Sequence, residues 1–303
     1  MRSWRVVGAV FFGTFATKSM IDFLHHPETE RIITQALAED IGSGDITSQA
    51  TIPLGTQRRA RCLAKESGIV AGVQFAEQVF KKVDTTLVFV KILSDGAAIK
   101  PGDIIFEISG SAHAILAAER LVLNSLQRMS GIATMTATAV NILSNTQCKI
   151  LDTRKTTPLI RHLEKWAVTI GGGENHRFGL YDMILIKDNH IDYAGGISTA
   201  LRQAVKFRQE NFPQTRIEIE CRTLDEVREA IMTGGMDIIL LDNMPIEMIK
   251  EAVSIINKRC LIEVSGNVTI ENLASKALPG VDFISMGALT HSIKSLDISL
   301  KAY

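Results

Sequence analysis

Ile217-Glu218-Ile219-Glu220, Ile238-Ile239-Leu240-Leu241-Asp242, Leu261-Ile262-Glu263-Val264-Ser265 and Phe283-Ile284-Ser285-Met286-Gly287 decide the architecture. Each is a short apolar run that stops on a polar or small residue. The stops at 220, 242, 265 and 287 lie 22, 23 and 22 residues apart by subtraction, room for one strand, one helix and two short loops. Helical stretches at Ser198–Phe207, Leu224–Met232 and Pro245–Asn257 fill the gaps. Upstream, Ile150-Leu151 before Asp152 and Ile184-Leu185-Ile186 before Lys187 extend the series, and a further short strand is expected to end near His176. Six or seven parallel strand–helix units predict an α/β barrel, complete or open. The chemistry of such barrels sits at the C-terminal ends of the strands. Those ends carry Asp152, Lys187, Glu220, Asp242, Ser265 and Gly287, and charge recurring after successive apolar strands predicts one shared site.

Residues 21–123 read differently. Helical stripes at Ile32, Ile33, Ala36 and Leu37 and at Ala76, Val79, Phe80 and Val83 mix with strands at Ala60–Ala64, Leu87–Leu93 and Ile104–Ile108. Turns fall at Asp95-Gly96 and Pro101-Gly102. Without a strand–helix–strand rhythm this predicts a small α+β domain. Ala112–Leu143 is expected to be helical, with a break near Ser130-Gly131.

Of the 303 residues, 46% are hydrophobic and 22% charged, which excludes disorder and coiled coil as the main architecture. With 33 basic and 33 acidic residues the formal net charge is +0, which argues against a general nucleic-acid binder. The four cysteines (Cys62, Cys148, Cys221 and Cys260) form no CxxC pair, so a reducing, cytoplasmic setting is expected. The apolar run Val6–Ala16, with Arg2 and Arg5 before it, has the shape of a signal peptide but is too short to span a bilayer. An extended start, with Met20 as the natural beginning, is the preferred reading, and residues 1–20 are set aside as an N-terminal extension. No membrane or nucleic-acid partner is expected.

Three segments concentrate the chemistry: Asp152-Thr153-Arg154-Lys155-Thr156, Gly171-Gly172-Gly173-Glu174-Asn175-His176-Arg177, and Ile186-Lys187-Asp188-Asn189-His190. Arg154, Lys155, Arg177 and Lys187 would meet on neighbouring strand ends, where four cations repel unless an anion joins them, so the ligand is expected to carry phosphates, carboxylates or both. Some of these cations could instead pair with Asp152, Glu174, Asp182 or Asp188. Gly171-Gly172-Gly173 is either a phosphate nest or a tight loop. Glu220 and Asp242 suit Mg²⁺, ribose hydroxyls or acid–base work, or could pair structurally with the basic cluster. Val264-Ser265-Gly266-Asn267 and Met286-Gly287-Ala288-Leu289 are small-residue loops after the last two strands, where barrels often cradle phosphate. There is no P-loop or dinucleotide fingerprint after a strand, and no zinc-spaced cluster.

In this combination and order, these segments resemble the quinolinate phosphoribosyltransferases, as do Ala118-Glu119-Arg120 with Asn124, Ser130-Gly131-Ile132-Ala133, Leu241-Asp242-Asn243, Glu263 to Asn267 and Gly287-Ala288-Leu289-Thr290. The resemblance runs from about residue 28 to the C-terminus. Its departures are the first 20 residues and Leu159-Ile160, where relatives often have glycine before the Leu-Arg pair.

The resemblance implies an open seven-stranded α/β barrel (TIM-like), 124–290, with an N-terminal α/β sandwich domain, 21–123 completed by 291–303. It implies a homodimer in which one subunit's sandwich domain covers the other's barrel mouth. The implied reaction joins quinolinate to phosphoribosyl pyrophosphate with Mg²⁺, giving nicotinate mononucleotide, pyrophosphate and CO₂ in NAD biosynthesis. Quinolinate would be held by Thr153, Arg154, His176, Arg177 and Lys187, with Arg120 arriving from the partner subunit. Phosphoribosyl pyrophosphate would meet Lys155, Lys187, Ser265, Gly266, Asn267, Gly287, Ala288 and Leu289. Glu220 and Asp242 would hold the ribose and Mg²⁺ and stabilise the transition state. The alternatives are a related phosphoribosyltransferase acting on another acid, and a silent paralogue that binds a phosphorylated ligand.

Overall fold

The computed structural model describes residues 22–303. The N-terminal extension expected at 1–20 lies outside the described residues. Helix α1 (Pro27–Ile41) opens on proline, whose fixed φ and missing N–H suit a first helical turn, and buries Ile32, Ile33 and Leu37. Helix α2 (Ile46–Thr51) is capped by the Asp45 carboxylate. There follow β1 (Gln57–Ala64), β2 (Gly68–Ile69), α3 (Val73–Val83), β3 (Val88–Lys91), β4 (Ala98–Ile99) and β5 (Ile104–Ser111). Strands β1, β3 and β5 form an antiparallel sheet, and α3 turns Phe75, Ala76, Val79 and Phe80 into the core.

Helix α4 (Ala112–Ile142) is continuous, so the expected break at Ser130-Gly131 does not occur. Both residues serve packing instead. Ser130 Oγ accepts the Ala71 N–H at 3.0 Å. Gly131 admits the chain at 294: a Cβ there would lie 2.3 Å from the Lys294 carbonyl oxygen.

The remaining elements are β6 (Lys149–Leu151), α5 (Arg161–Ile170), β7 (Ile184–Ile186), α6 (Asp188–Ala194), α7 (Ile197–Asn211), β8 (Ile217–Cys221), α8 (Leu224–Thr233), β9 (Ile238–Asp242), α9 (Ile246–Ile256), β10 (Leu261–Ser265), α10 (Ile270–Lys276), β11 (Phe283–Ser285), α11 (Ala288–His291) and β12 (Ile298–Ala302). Among the described residues, six parallel strands pair in the order β6-β11-β10-β9-β8-β7. The first strand pairs with the last, as in a barrel, and the opening falls between β6 and β7. The strand expected near His176 is a single parallel bridge between Leu151 and Glu174. Register aligns the strand ends, with Asp242 opposite Ser265 and Ile186 opposite Ile219.

The chain then returns to its first sheet. Strand β12 pairs antiparallel with β1, from Ala60 opposite Ala302 to Ala64 opposite Ile298. Helix α4, inside which the 123/124 boundary falls, packs on both α3 and α5.

Candidate active site

Sheet order converts the strand ends into an arc running from Lys187 through Glu220, Asp242 and Ser265 to Gly287, with Thr153 beyond it after β6. Lys187 Nζ donates to Glu220 Oε2 at 2.8 Å. Asn243 Nδ2 donates to Asp242 Oδ2 at 2.7 Å, and Asn267 Nδ2 donates to Asn243 Oδ1 at 3.0 Å. The loop after β10 is thus tied through Asn243 to the Asp242 carboxylate. A cavity of about 450 Å³ opens here, lined by Thr153, Lys155, Ser265, Gly266, Asn267 and Gly287, with Ala288 and His291 beside them. Gly266 has φ +89° and a Cβ on it would sit 2.2 Å from Asn243 Oδ1, so only glycine fits the close approach of the two loops. Leu289 lies behind this cavity: its side chain is buried and its N–H donates to the Met286 carbonyl.

The adjoining lip, between β6 and β7, is cationic. Arg154 and Lys155 are exposed on the loop after β6. Arg161 braces that loop, with Nε donating to Thr156 Oγ1 at 2.9 Å and Nη1 to the Phe178 carbonyl at 2.8 Å. Arg177 is buried. Its Nη1 donates to the Met183 carbonyl at 3.2 Å, and its Nε has no hydrogen-bond partner. Burial and the neighbouring Arg154 both push its pKa down, disfavouring the charged form. A buried donor left unpaired costs about 1–3 kcal/mol, and more when charged, so this guanidinium is arranged for an anion that arrives from solution.

One expectation changes, and one open alternative is resolved. Asp152 does not face the mouth. It is fully buried against α5, where it accepts hydrogen bonds from Lys165 Nζ, from Asn175 Nδ2 at 2.7 Å and from the His176 N–H at 2.9 Å. Burial raises the Asp152 pKa and lowers that of Lys165, so each needs the other. Of the two readings for Gly171-Gly172-Gly173, the tight loop is the one seen. A Cβ on Gly171 would lie 2.5 Å from the Ala133 carbonyl oxygen, and one on Gly173 2.8 Å from Thr136, so this turn packs directly on α4.

His176 is turned inward, 6% exposed. Its Nε2 lies 3.0 Å from Glu218 Oε2 and 3.4 Å from Glu263 Oε2, both carboxylates being buried. Burial, then the charge of Glu263, pushes the Glu218 carboxyl up to about 7. Against burial, His176 and Ser285 hold Glu263 below its ordinary range. In the sequence, Glu218 and Glu263 stand out as charges in the middle of apolar strands, not at the strand ends. Arg120 is exposed on α4, and no ion pair or hydrogen bond among the described residues joins it to the mouth.

Barrels with small-residue loops after the last strands often bind phosphate there, and this molecule, with cations on the adjoining loops, is an enzyme of that class. Comparison with known proteins narrows the class to one family. The chain matches the model of the quinolinate phosphoribosyl transferase C-terminal domain over residues 132–301 and that of the N-terminal domain over 45–130. It therefore belongs to the quinolinate phosphoribosyltransferase family. It is 47% identical over 293 residues to the chloroplastic nicotinate-nucleotide pyrophosphorylase (carboxylating) of Arabidopsis thaliana, covering 91% of this chain and 84% of that one. It is 44% identical to the probable nicotinate-nucleotide pyrophosphorylase (carboxylating) of Bacillus subtilis, covering 91% and 94%. The crystal structure of NadC from Streptococcus pyogenes superposes with a TM-score of 0.85 at 40% identity, covering 90% of this chain and 96% of that one.

Proposed function

We infer that this chain is a quinolinate phosphoribosyltransferase. It transfers the phosphoribosyl group of phosphoribosyl pyrophosphate to quinolinate and decarboxylates the product, giving nicotinate mononucleotide, pyrophosphate and CO₂ on the route to NAD. The observation that carries this reading is the buried Arg177, with an unpaired Nε and Arg154 close enough to disfavour its charge, an arrangement suited to a carboxylate. Arg154, Lys187 and Thr153 complete the grip on the pyridine dicarboxylate. The cavity lined by Ser265, Gly266, Asn267, Gly287 and Ala288 takes the ribose phosphate, and Lys155 reaches the pyrophosphate.

The pyridine nitrogen attacks the anomeric carbon, and the bond to pyrophosphate breaks. Positive charge develops on the sugar between the Glu220 and Asp242 carboxylates, while Lys155 and Lys187 meet the negative charge on the departing group. The ribosylated ring is cationic, so the electron pair of the adjacent carboxylate bond falls into it as CO₂ leaves, and the ring carbon takes up a proton.

Glu220 and Asp242 also suit a magnesium ion. They are hard oxygen donors on adjacent strand ends, and one oxygen of each is engaged, by Lys187 and by Asn243. When bound, the ion supplies charge neutralisation to the pyrophosphate.

Arg120, exposed and without an ion pair among the described residues, is assigned to the mouth of a second copy in a homodimer. Cysteines that are all free and buried support a reducing, cytoplasmic setting. No helix among the described residues is long and apolar enough to cross a membrane.

The test is direct. Purified protein with quinolinate, phosphoribosyl pyrophosphate and Mg²⁺ is expected to release CO₂ and form nicotinate mononucleotide. Turnover of nicotinate in place of quinolinate, without CO₂, would refute the substrate.

A further inference from the structure

Three buried side chains lie beneath the mouth and take no part in the chemistry above. Alternate residues of a strand share a face, so Glu218 and Glu263 sit one layer below Glu220 and Ser265 in the barrel interior. His176 enters between them from the segment joining α5 to β7, with Nε2 facing both carboxylates at 3.0 and 3.4 Å. Its Nδ1 faces the other way, 2.7 Å from the backbone nitrogen of Arg177, which donates to it. The backbone of His176 is also clamped. Its N–H donates to Asp152 Oδ1 at 2.9 Å, and its carbonyl accepts from Lys165 Nζ at 3.0 Å.

An N–H needs a lone pair to accept it. Burial disfavours the charged ring, and the two carboxylates pull the other way. The Arg177 contact decides the tautomer, because a doubly protonated ring would point a second N–H at the donor. Nδ1 is therefore the acceptor and the proton sits on Nε2, toward the glutamates.

We propose that His176 is a positioning residue: wedged between Glu218 and Glu263, it fixes the Arg177 backbone through Nδ1 and so aims the guanidinium at the substrate carboxylate. The proposal rests on the reading that Arg177 holds quinolinate. It removes His176 from direct contact with substrate and makes Glu218 and Glu263 parts of the quinolinate site at one remove. Supports of this kind typically change affinity or activity about 10–100-fold when lost, as established for metal sites, and small misplacements of a binding group cost as much.

Asparagine and glutamine separate the two ring nitrogens. His176→Asn keeps an acceptor near the Nδ1 position, whereas His176→Gln keeps only the reach toward the glutamates. The expected result is a quinolinate KM raised about tenfold or more in His176→Gln and His176→Ala, partly restored in His176→Asn, with the KM for phosphoribosyl pyrophosphate within about twofold of the parent in all three. Glu263→Gln is expected to raise the quinolinate KM severalfold with little change in kcat, and it carries the test if the histidine variants do not fold. Equal losses in His176→Asn and His176→Gln, falling on kcat, would mean the ring itself touches substrate and overturn the proposal. So would an unchanged quinolinate KM in Glu263→Gln, or losses of affinity for both substrates that follow the melting temperature. An unchanged quinolinate KM in Arg177→Ala would instead sink the underlying reading of Arg177, whatever the histidine variants do.

Discussion

The two sides of the barrel mouth are built by different means. On the β8–β11 side, β8, β9 and β10 are each five residues long in unbroken register, and the site residues lie in the last two positions of those strands: Glu220, Asp242, Ser265. On the β6–β7 side the strands are three residues long, the two do not pair, and the connection between them is held by buried polar groups. Lys165 and Asp152 lock α5 to the end of β6. Arg128 Nε donates to the buried Glu164 at 2.7 Å, and Arg161 ties the Arg154 loop to Phe178. Acids and the small-residue phosphate loops lie on the laddered side, and all four mouth cations (Arg154, Lys155, Arg177 and Lys187) lie on the polar-braced side. Where backbone pairing runs out, buried charge takes over the positioning.

This contrast can be broken in descending order of effect. Asp152→Ala leaves Lys165 buried without its carboxylate and is expected to destabilise the fold by about 3–5 kcal/mol in urea unfolding. A loss below about 1 kcal/mol would show that the open side does not depend on that pair. Lys187→Ala removes a mouth cation and should cut product formation by about 10²–10³, roughly 3–4 kcal/mol, while the unfolding midpoint stays put. Wild-type turnover in this variant would break the assignment of the cationic lip. Gly266→Ala places a methyl against Asn243 at positive φ and is expected to cost about 2 kcal/mol. It should also raise the KM for phosphoribosyl pyrophosphate and spare that for quinolinate; the reverse split would put the phosphate elsewhere. The smallest effect concerns Leu159, which holds φ +69° at 74% exposure. A leucine in the left-handed region costs about 1–2 kcal/mol, so Leu159→Gly should stabilise the protein by about 1 kcal/mol, measured as a higher melting temperature.

The same contrast explains what the sequence reveals. Strands β8 to β11 are legible because each is an apolar run with a polar stop at a fixed interval. Helix α5 escapes a reading by apolar period because His162, Glu164 and Lys165 occupy its buried positions. The cations at Arg154, Arg177 and Lys187 were readable from their neighbourhood, but the direction in which His176 faces depends on Glu218 and Glu263, more than forty residues further along the chain. Ser130-Gly131 reads as a helix break because glycine is weak in helices. It is instead a site of close approach, which only the return of the chain at Lys294 reveals. Leu159 shows the converse: the position where relatives often carry glycine has the backbone that calls for one.

Strand β12 bears on how the molecule is made. The edge of β1 that it covers emerges from the ribosome before any of the barrel, while β12 itself is translated after all of it. The first sheet to be synthesised is therefore among the last structures to be completed. Until then β1 presents open N–H and C=O groups to other nascent chains, a window for mispairing that lasts as long as the barrel takes to be translated.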